Sequence, residues 1–115
     1  MTHPAQQMAI VLTTFGVDQA MPVARVLVDE RLAACVNVLP PMMSVYRWDG
    51  EVQEEAEEQV VIKTSTDRLA DLESRIRQLH SYELPEFLVV TADAGAEAYL
   101  KWVGVSTHDV LEGQA

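Results

Sequence analysis

The chain has 115 residues, 49% of them hydrophobic, which is enough for one domain with one core and too few for two. Eighteen acidic residues against eight basic give a formal net charge of −10, a field that repels phosphate backbones and anionic lipid surfaces, so nucleic acid and membrane are set aside as partners. The single cysteine, Cys35, excludes an internal disulfide or a Cys-x-x-Cys pair, and the first residues lack a basic leader, so a cytoplasmic location is expected.

Met8 to Thr14 is short, apolar and β-branched and predicts a buried strand closed by Gly16. Asp18 is placed to cap a helix whose face carries Ala20, Ala24, Leu27, Val28 and Leu32, with Pro22 tolerable only in its first turn. Cys35 to Arg47 predicts a second strand, which Pro40-Pro41 interrupts with an edge or a bulge. Asp49-Gly50 then predicts a tight hairpin in which both central residues take positive φ. The returning strand alternates through Val60, Ile62 and Thr64, and both hairpin arms are long for so small a domain.

Thr66 or Asp67 is expected to cap a second helix with Leu69, Leu72, Ile76 and Leu79 on one face, ending near His80 ahead of Pro85. Phe87 to Thr91 predicts a continuous apolar strand buried on both faces, and Ala96 to Val103 a short last helix. The whole of 1–115 is expected to be one domain, with 1–7 and 107–115 as flexible tails. The order β-α-β-β-α-β plus a helix is that of an α+β, ferredoxin-like fold. In such a fold two helices cover one sheet face. The first strand carries Ala9 and Val11 on one face and Ile10 and Leu12 on the other, so the second face must be buried against other copies of the chain.

Signatures of catalysis are missing. Five glycines form no phosphate-cradling loop, and neither Gly-x-Ser-x-Gly nor His-Glu-x-x-His occurs. Cys35 sits in an apolar strand start and reads as a structural residue. No nucleophile, base and orienting group can be assembled, so an enzyme is not expected. The densest polar cluster is His80-Ser-Tyr-Glu-Leu-Pro-Glu86, whose imidazole and carboxylates suit a divalent ion, or serve only as a helix-terminal histidine and a turn. Asp49, Glu51, Glu54, Glu55, Glu57 and Glu58 read as a solvated hairpin arm that resists edge-to-edge aggregation. Tyr46 and Trp48 beside the turn read as anchors on a neighbouring subunit. His3 and His108 fall in the expected tails and receive no role.

Several ordered motifs resemble one family. Arg31-Leu-Ala-Ala-Cys35-Val-Asn-Val-Leu-Pro40, Ser44-Val-Tyr46-Arg-Trp48-Asp-Gly50, Val61-Ile-Lys63-Thr64, His80-Ser-Tyr82-Glu83-Leu-Pro85-Glu86 and Tyr99-Leu-Lys-Trp102 are similar to the CutA divalent-cation-tolerance signature from about Met8 to Val103. The resemblance implies a ferredoxin-like homotrimer, related in fold to the PII signalling proteins, whose long hairpins wrap onto neighbouring subunits. It implies a ligand pocket near an intersubunit cleft built from Trp48, Lys63, Tyr82, Glu83 and Glu86. It also implies a role in copper tolerance and divalent-metal binding, with no required cofactor. The family's three copper-ligand positions fall here on Thr13, Leu79 and His80, so His80 alone is retained and weak copper binding through it is expected. Met42-Met43 replaces the family's glycine-containing turn. Two other functions are implied by relatives: a PII-like sensor in which Lys63 holds a small anionic or zwitterionic ligand against Trp48 or Tyr82, and a structural anchoring module.

Overall fold

The alternation of apolar residues in the strands and their three-four spacing in the helices are satisfied by one sheet with helices on both faces. The computed structural model describes residues 7–108. The order is β1 (Met8–Gly16), α1 (Ala20–Asp29), β2 (Cys35–Val38), β3 (Met42–Trp48), β4 (Glu51–Ser65), α2 (Leu69–Leu79), β5 (Leu88–Thr91) and α3 (Glu97–Ser106). All pairings are antiparallel, in the order β2-β4-β1-β5, with β3 continuing beyond β2 along β4. This is the ferredoxin-like arrangement predicted from the element order.

The main core lies between the sheet and the pair α1 and α2. Val11, Phe15, Val60 and Ile62 from the strands meet Val23, Leu27, Leu72 and Ile76 from the helices. A smaller cluster on the opposite sheet face joins Met8 and Ala34 to Val103 of α3. The bidentate ion pair from Arg75 to Glu30, 2.9 Å to each oxygen, ties α2 to α1 at the surface.

Proline and turn chemistry act where the sequence placed them. Pro22 is the third residue of α1, inside its first turn. Asp49 and Gly50 have φ of 50° and 79°, the two left-handed residues of a tight hairpin turn. The expected single strand from Cys35 to Arg47 is two strands. Leu39, Pro40 and Pro41 lie opposite only Glu58 and Gln59, so the pairing register along β4 slips by one residue at the prolines. The hairpin beyond this bulge overhangs the domain. The molecule measures 52 × 26 × 23 Å, with a radius of gyration of 15.3 Å against about 13 Å for a compact chain of this length.

Several expectations need correction. Val28 is 44% exposed and Val23 takes its place in the core, because α1 begins at Ala20 and its buried stripe is rotated from the expected one. Leu32 is buried, but after the helix has ended: Arg31 turns the chain with φ of 60°, and Leu32 then folds inward. The residue at the α1 N-cap is Gln19, which makes no side-chain capping bond, and Asp18 is itself left-handed at φ 68°. A 3₁₀ turn (Thr66–Arg68) leads into α2, whose N-cap position, Arg68, makes no side-chain capping bond. β5 was expected to be buried on both faces. All four of its residues are exposed, because among the described residues β5 is an edge strand paired only with β1 and covered on neither face. Finally, Gln7, Thr107 and His108 belong to the folded body: the Gln7 carbonyl accepts from Thr66 N–H, and Thr107 is fully buried. The rest of the expected tails, with His3, lies outside the described residues.

Candidate functional site

Residues directly opposite in an antiparallel pair share a sheet face, and faces alternate along each strand. The face away from α1 and α2 therefore carries Ile10, Leu12 and Thr14 of β1, Glu57, Gln59, Val61 and Lys63 of β4, and Leu88 and Val90 of β5. Beyond the bulge it also carries Ser44, Tyr46 and Trp48 of β3. The segment after α2 folds back onto this face near the middle of β4.

His80 is the first anchor of that segment. Its Nε2 lies 2.6 Å from the Thr14 carbonyl, and its Nδ1 accepts from Tyr82 N–H at 3.1 Å. The carbonyl needs a donor and the amide needs an acceptor, so the ring is the neutral Nε2–H tautomer. It stacks on Phe15 with centroids 4.2 Å apart. The Tyr82 hydroxyl donates to Glu57 Oε2 at 2.6 Å. Loss of hydration, that hydrogen bond and the negative charges of Glu57 and Glu55 all push the phenol well above its ordinary range. Gln59 Nε2 donates to the Thr13 carbonyl at 2.7 Å and to Glu86 Oε2 at 3.2 Å. The turn before β5 is thus stitched to β1 and β4 at three points.

Of the five expected pocket residues, the chain brings Tyr82 and Glu86 together, on neighbouring residues of β4's sheet face. Lys63 shares that face but sits four residues from Gln59, about 13 Å along the strand, where its Nζ donates to Asn37 Oδ1 at 2.5 Å. Trp48 pairs with Glu51, six residues from Glu57 and about 20 Å away at the hairpin tip. Glu83 lines a cleft of about 380 Å³ with Arg77, Leu84 and Phe87, on the α2 side of Tyr82. One chain does not assemble the five around a common point.

His80 was expected as a metal ligand, and here the geometry differs. Both ring nitrogens are committed to backbone groups of the same chain. Among the described residues no group of three or more His, Cys, Asp or Glu is placed to hold a metal ion. The described residues do not assemble a metal centre within one chain.

The six hairpin carboxylates are not one solvated arm. Asp49, Glu51, Glu54 and Glu55 are exposed, whereas Glu57 and Glu58 are buried. Glu58 Oε1 accepts from Asp18 N–H at 3.1 Å and Ala20 N–H at 3.4 Å, so a strand carboxylate from 38 residues away supplies the α1 cap that neither Asp18 nor Gln19 provides. The signal was present: alternation running back from Ile62 and Val60 puts residue 58 on the core face. We expect Glu58→Ala to cost about 1–2 kcal/mol, since it leaves two helix-start N–H groups unpaired, and Glu58→Gln to cost less. Urea unfolding at fixed protein concentration measures both; equal costs for the two would mean that side-chain packing, not the capping oxygen, matters there.

The family model described as CutA1 divalent ion tolerance protein matches residues 8–106. The divalent-cation tolerance protein CutA of Thermus thermophilus is 39% identical over 98 residues, covering 85% of this chain and 95% of that protein. The CutA homolog of Xenopus laevis is 41% identical over 85 residues, covering 74% of this chain, which spans only 56% of that longer protein. Among solved structures, the PII-like protein CutA from Nostoc sp. PCC 7120 superposes with a TM-score of 0.83 at 42% identity, covering 87% of this chain and 97% of that one.

Proposed function

The chain belongs to the CutA1 divalent ion tolerance family, and from that membership we propose that it is a cytoplasmic homotrimer that responds to divalent cations by binding rather than by catalysis. The observation that carries the assembly is β5. Leu88, Val89 and Val90 are 56%, 42% and 52% exposed in the single chain, on an edge strand whose outer backbone groups have no sheet neighbour. A second copy of the same sheet is the economical cover, and closed symmetry lets each copy use the same two surfaces. Tyr46 and Trp48 on the overhanging arm would then reach a neighbour, bringing Trp48 toward the partner's sheet face that carries Tyr82 and Glu86. Light scattering on a size-exclusion column should give about three chains per particle; a single-chain mass at micromolar concentration sinks the proposal. A cytoplasmic setting is supported by the single cysteine, which fits a reducing compartment.

Cation binding would draw on the exposed carboxylates of the arm, Glu51, Glu54 and Glu55, in a chain of net charge −10. Copper would reach His80 only by breaking its bond to Thr14 or to Tyr82. We therefore expect weak Cu(II) binding in titration calorimetry that His80→Ala leaves within about twofold. A tenfold loss in that variant would put the imidazole in the site and show that the turn opens to admit the ion.

A second function, a PII-like sensor for a small anion, is favoured by Lys63. Its ammonium donates to the Asn37 amide and forms no ion pair with a carboxylate among the described residues, so the charge is available to a ligand. The similarity to the Nostoc protein, which is described as PII-like, supports the sensor reading.

A further inference from the structure

We propose that His108 is a pH-sensitive latch that fastens the end of α3 to the start of α2 while its ring is doubly protonated. The helix it secures is held to the body by a small contact. Three buried residues, Met8, Ala34 and Val103, form that cluster, against eleven in the main core. The C-terminal turn therefore depends on polar links. Ser65 and Thr107 share a hydroxyl–hydroxyl bond of 2.7 Å, and Arg31 Nη1 donates to the Ser106 carbonyl at 3.4 Å. His108 supplies a further link, to Asp67, and braces it with a bond back onto Gly104 of α3 itself.

His108 Nδ1 is 2.6 Å from the Gly104 carbonyl oxygen, and Nε2 is 2.7 Å from Asp67 Oδ2. Neither oxygen carries a hydrogen when Asp67 is ionised. A neutral imidazole has one N–H, so either tautomer would set a nitrogen lone pair against an oxygen lone pair at one of these short distances. The imidazolium donates to both. It also sits at a helix C-terminus, where the unpaired carbonyls favour a cation. Among the described residues, the groups that face it are few. Asp67 and Arg68 come from the turn leading into α2, one favouring the charge and one opposing it; Arg31 approaches the adjacent Ser106 carbonyl; and β4 contributes only uncharged Ser65.

The electrostatics agree with the geometry. The Gly104 carbonyl raises the ring above its ordinary value, partial burial opposes that rise, and Asp67 adds to it against Arg68. The folded-state value is therefore above the unfolded one, near 6.5. The latch is fully made below that pH and is lost as pH rises through the higher, folded-state value. Its release frees the last turn of α3, the helix whose Val103 closes over Met8 and Ala34.

Amide hydrogen exchange on the full chain tests this, with rates corrected for intrinsic chemistry at about pH 6 and about pH 8.5. Protection at the Thr107 and His108 amides, which bond the Val103 and Val105 carbonyls, should fall about fivefold or more between the two, while β1 amides hold. His108→Gln should show weak protection at both pH values, and Asp67→Asn should lower the ring's titration midpoint as followed by NMR. A ring that titrates at or below the free-histidine value overturns the proposal. So does a loss of protection that persists unchanged in His108→Gln.

Discussion

Leu88→Asp should convert the proposed trimer into single chains. Leu88 lies beside Leu12 and Val61 on the sheet face away from α1 and α2, and it is 56% exposed in the isolated chain. The substitution therefore leaves the folded monomer nearly undisturbed, as surface changes away from the core usually do. In a face-to-face assembly the same position would place three carboxylates in an apolar, desolvated contact. An unpaired buried charge costs several kcal/mol per copy, enough to abolish a micromolar trimer. Light scattering reads the mass, and far-UV circular dichroism confirms that the monomer retains its fold. A variant that stays trimeric would place the subunit contact elsewhere, on the arm or on α3. The exposed Tyr99 and Trp102 rings of α3, 5.5 Å apart, would then be the next surface to test.

The second large effect is expected at Phe15. This ring is 2% exposed, packs in the main core and stacks on His80, so it joins the hydrophobic interior to the candidate site. Phe15→Ala should cost about 3–5 kcal/mol of stability, the usual range for a large cavity in a core that cannot collapse. Unfolding is linked to subunit dissociation in the proposed assembly, so variant and parent must be compared at one protein concentration. The same change should loosen His80, exposing its ring nitrogens to solvent. A stability loss below about 1 kcal/mol would show that α1 and α2 close over the gap. In that event the ring's role is to orient His80 rather than to fill space.

What the sequence reveals and what it hides divide along a physical line. Asp49-Gly50, Pro22, the Pro40-Pro41 interruption and the Leu72–Ile76 stripe act through their own few residues, and each is found where the sequence put it. Features that depend on distant groups were not legible. His80 carries the right chemistry for a ligand, yet the Thr14 carbonyl that occupies its Nε2 is 66 residues away. His108 looks like part of a tail until Asp67, 41 residues away, is seen to face it. Glu57 and Glu58 are neighbours in an acidic run, and only pairing shows that one meets Tyr82 and the other caps α1. β5 carries a further lesson. A short run such as Leu-Val-Val signals that water must be excluded, but not whether the chain itself or another copy excludes it.

The extra residue at the prolines has a consequence for how the arm can change over evolutionary time. Had the Val38–Val60 register run on unbroken, Tyr46 would lie opposite Val52 and Trp48 opposite Gly50, on the face of α1 and α2, and Val45 and Met43 would replace them. Which side Tyr46 and Trp48 face is thus a matter of the slip at the prolines. Losing one residue of Leu39-Pro40-Pro41 would remove the bulge and leave Tyr46 opposite Gln53, whereas a slip of one more residue along β4 would invert the whole arm. Near the turn, matched pairs of residues can be added to both strands, extending the reach by about 3.4 Å each, with every side chain keeping its side. Arm length can change in such matched pairs, and the arm's facing is held by Met42 lying opposite Glu57 rather than by the number of residues that lead to it.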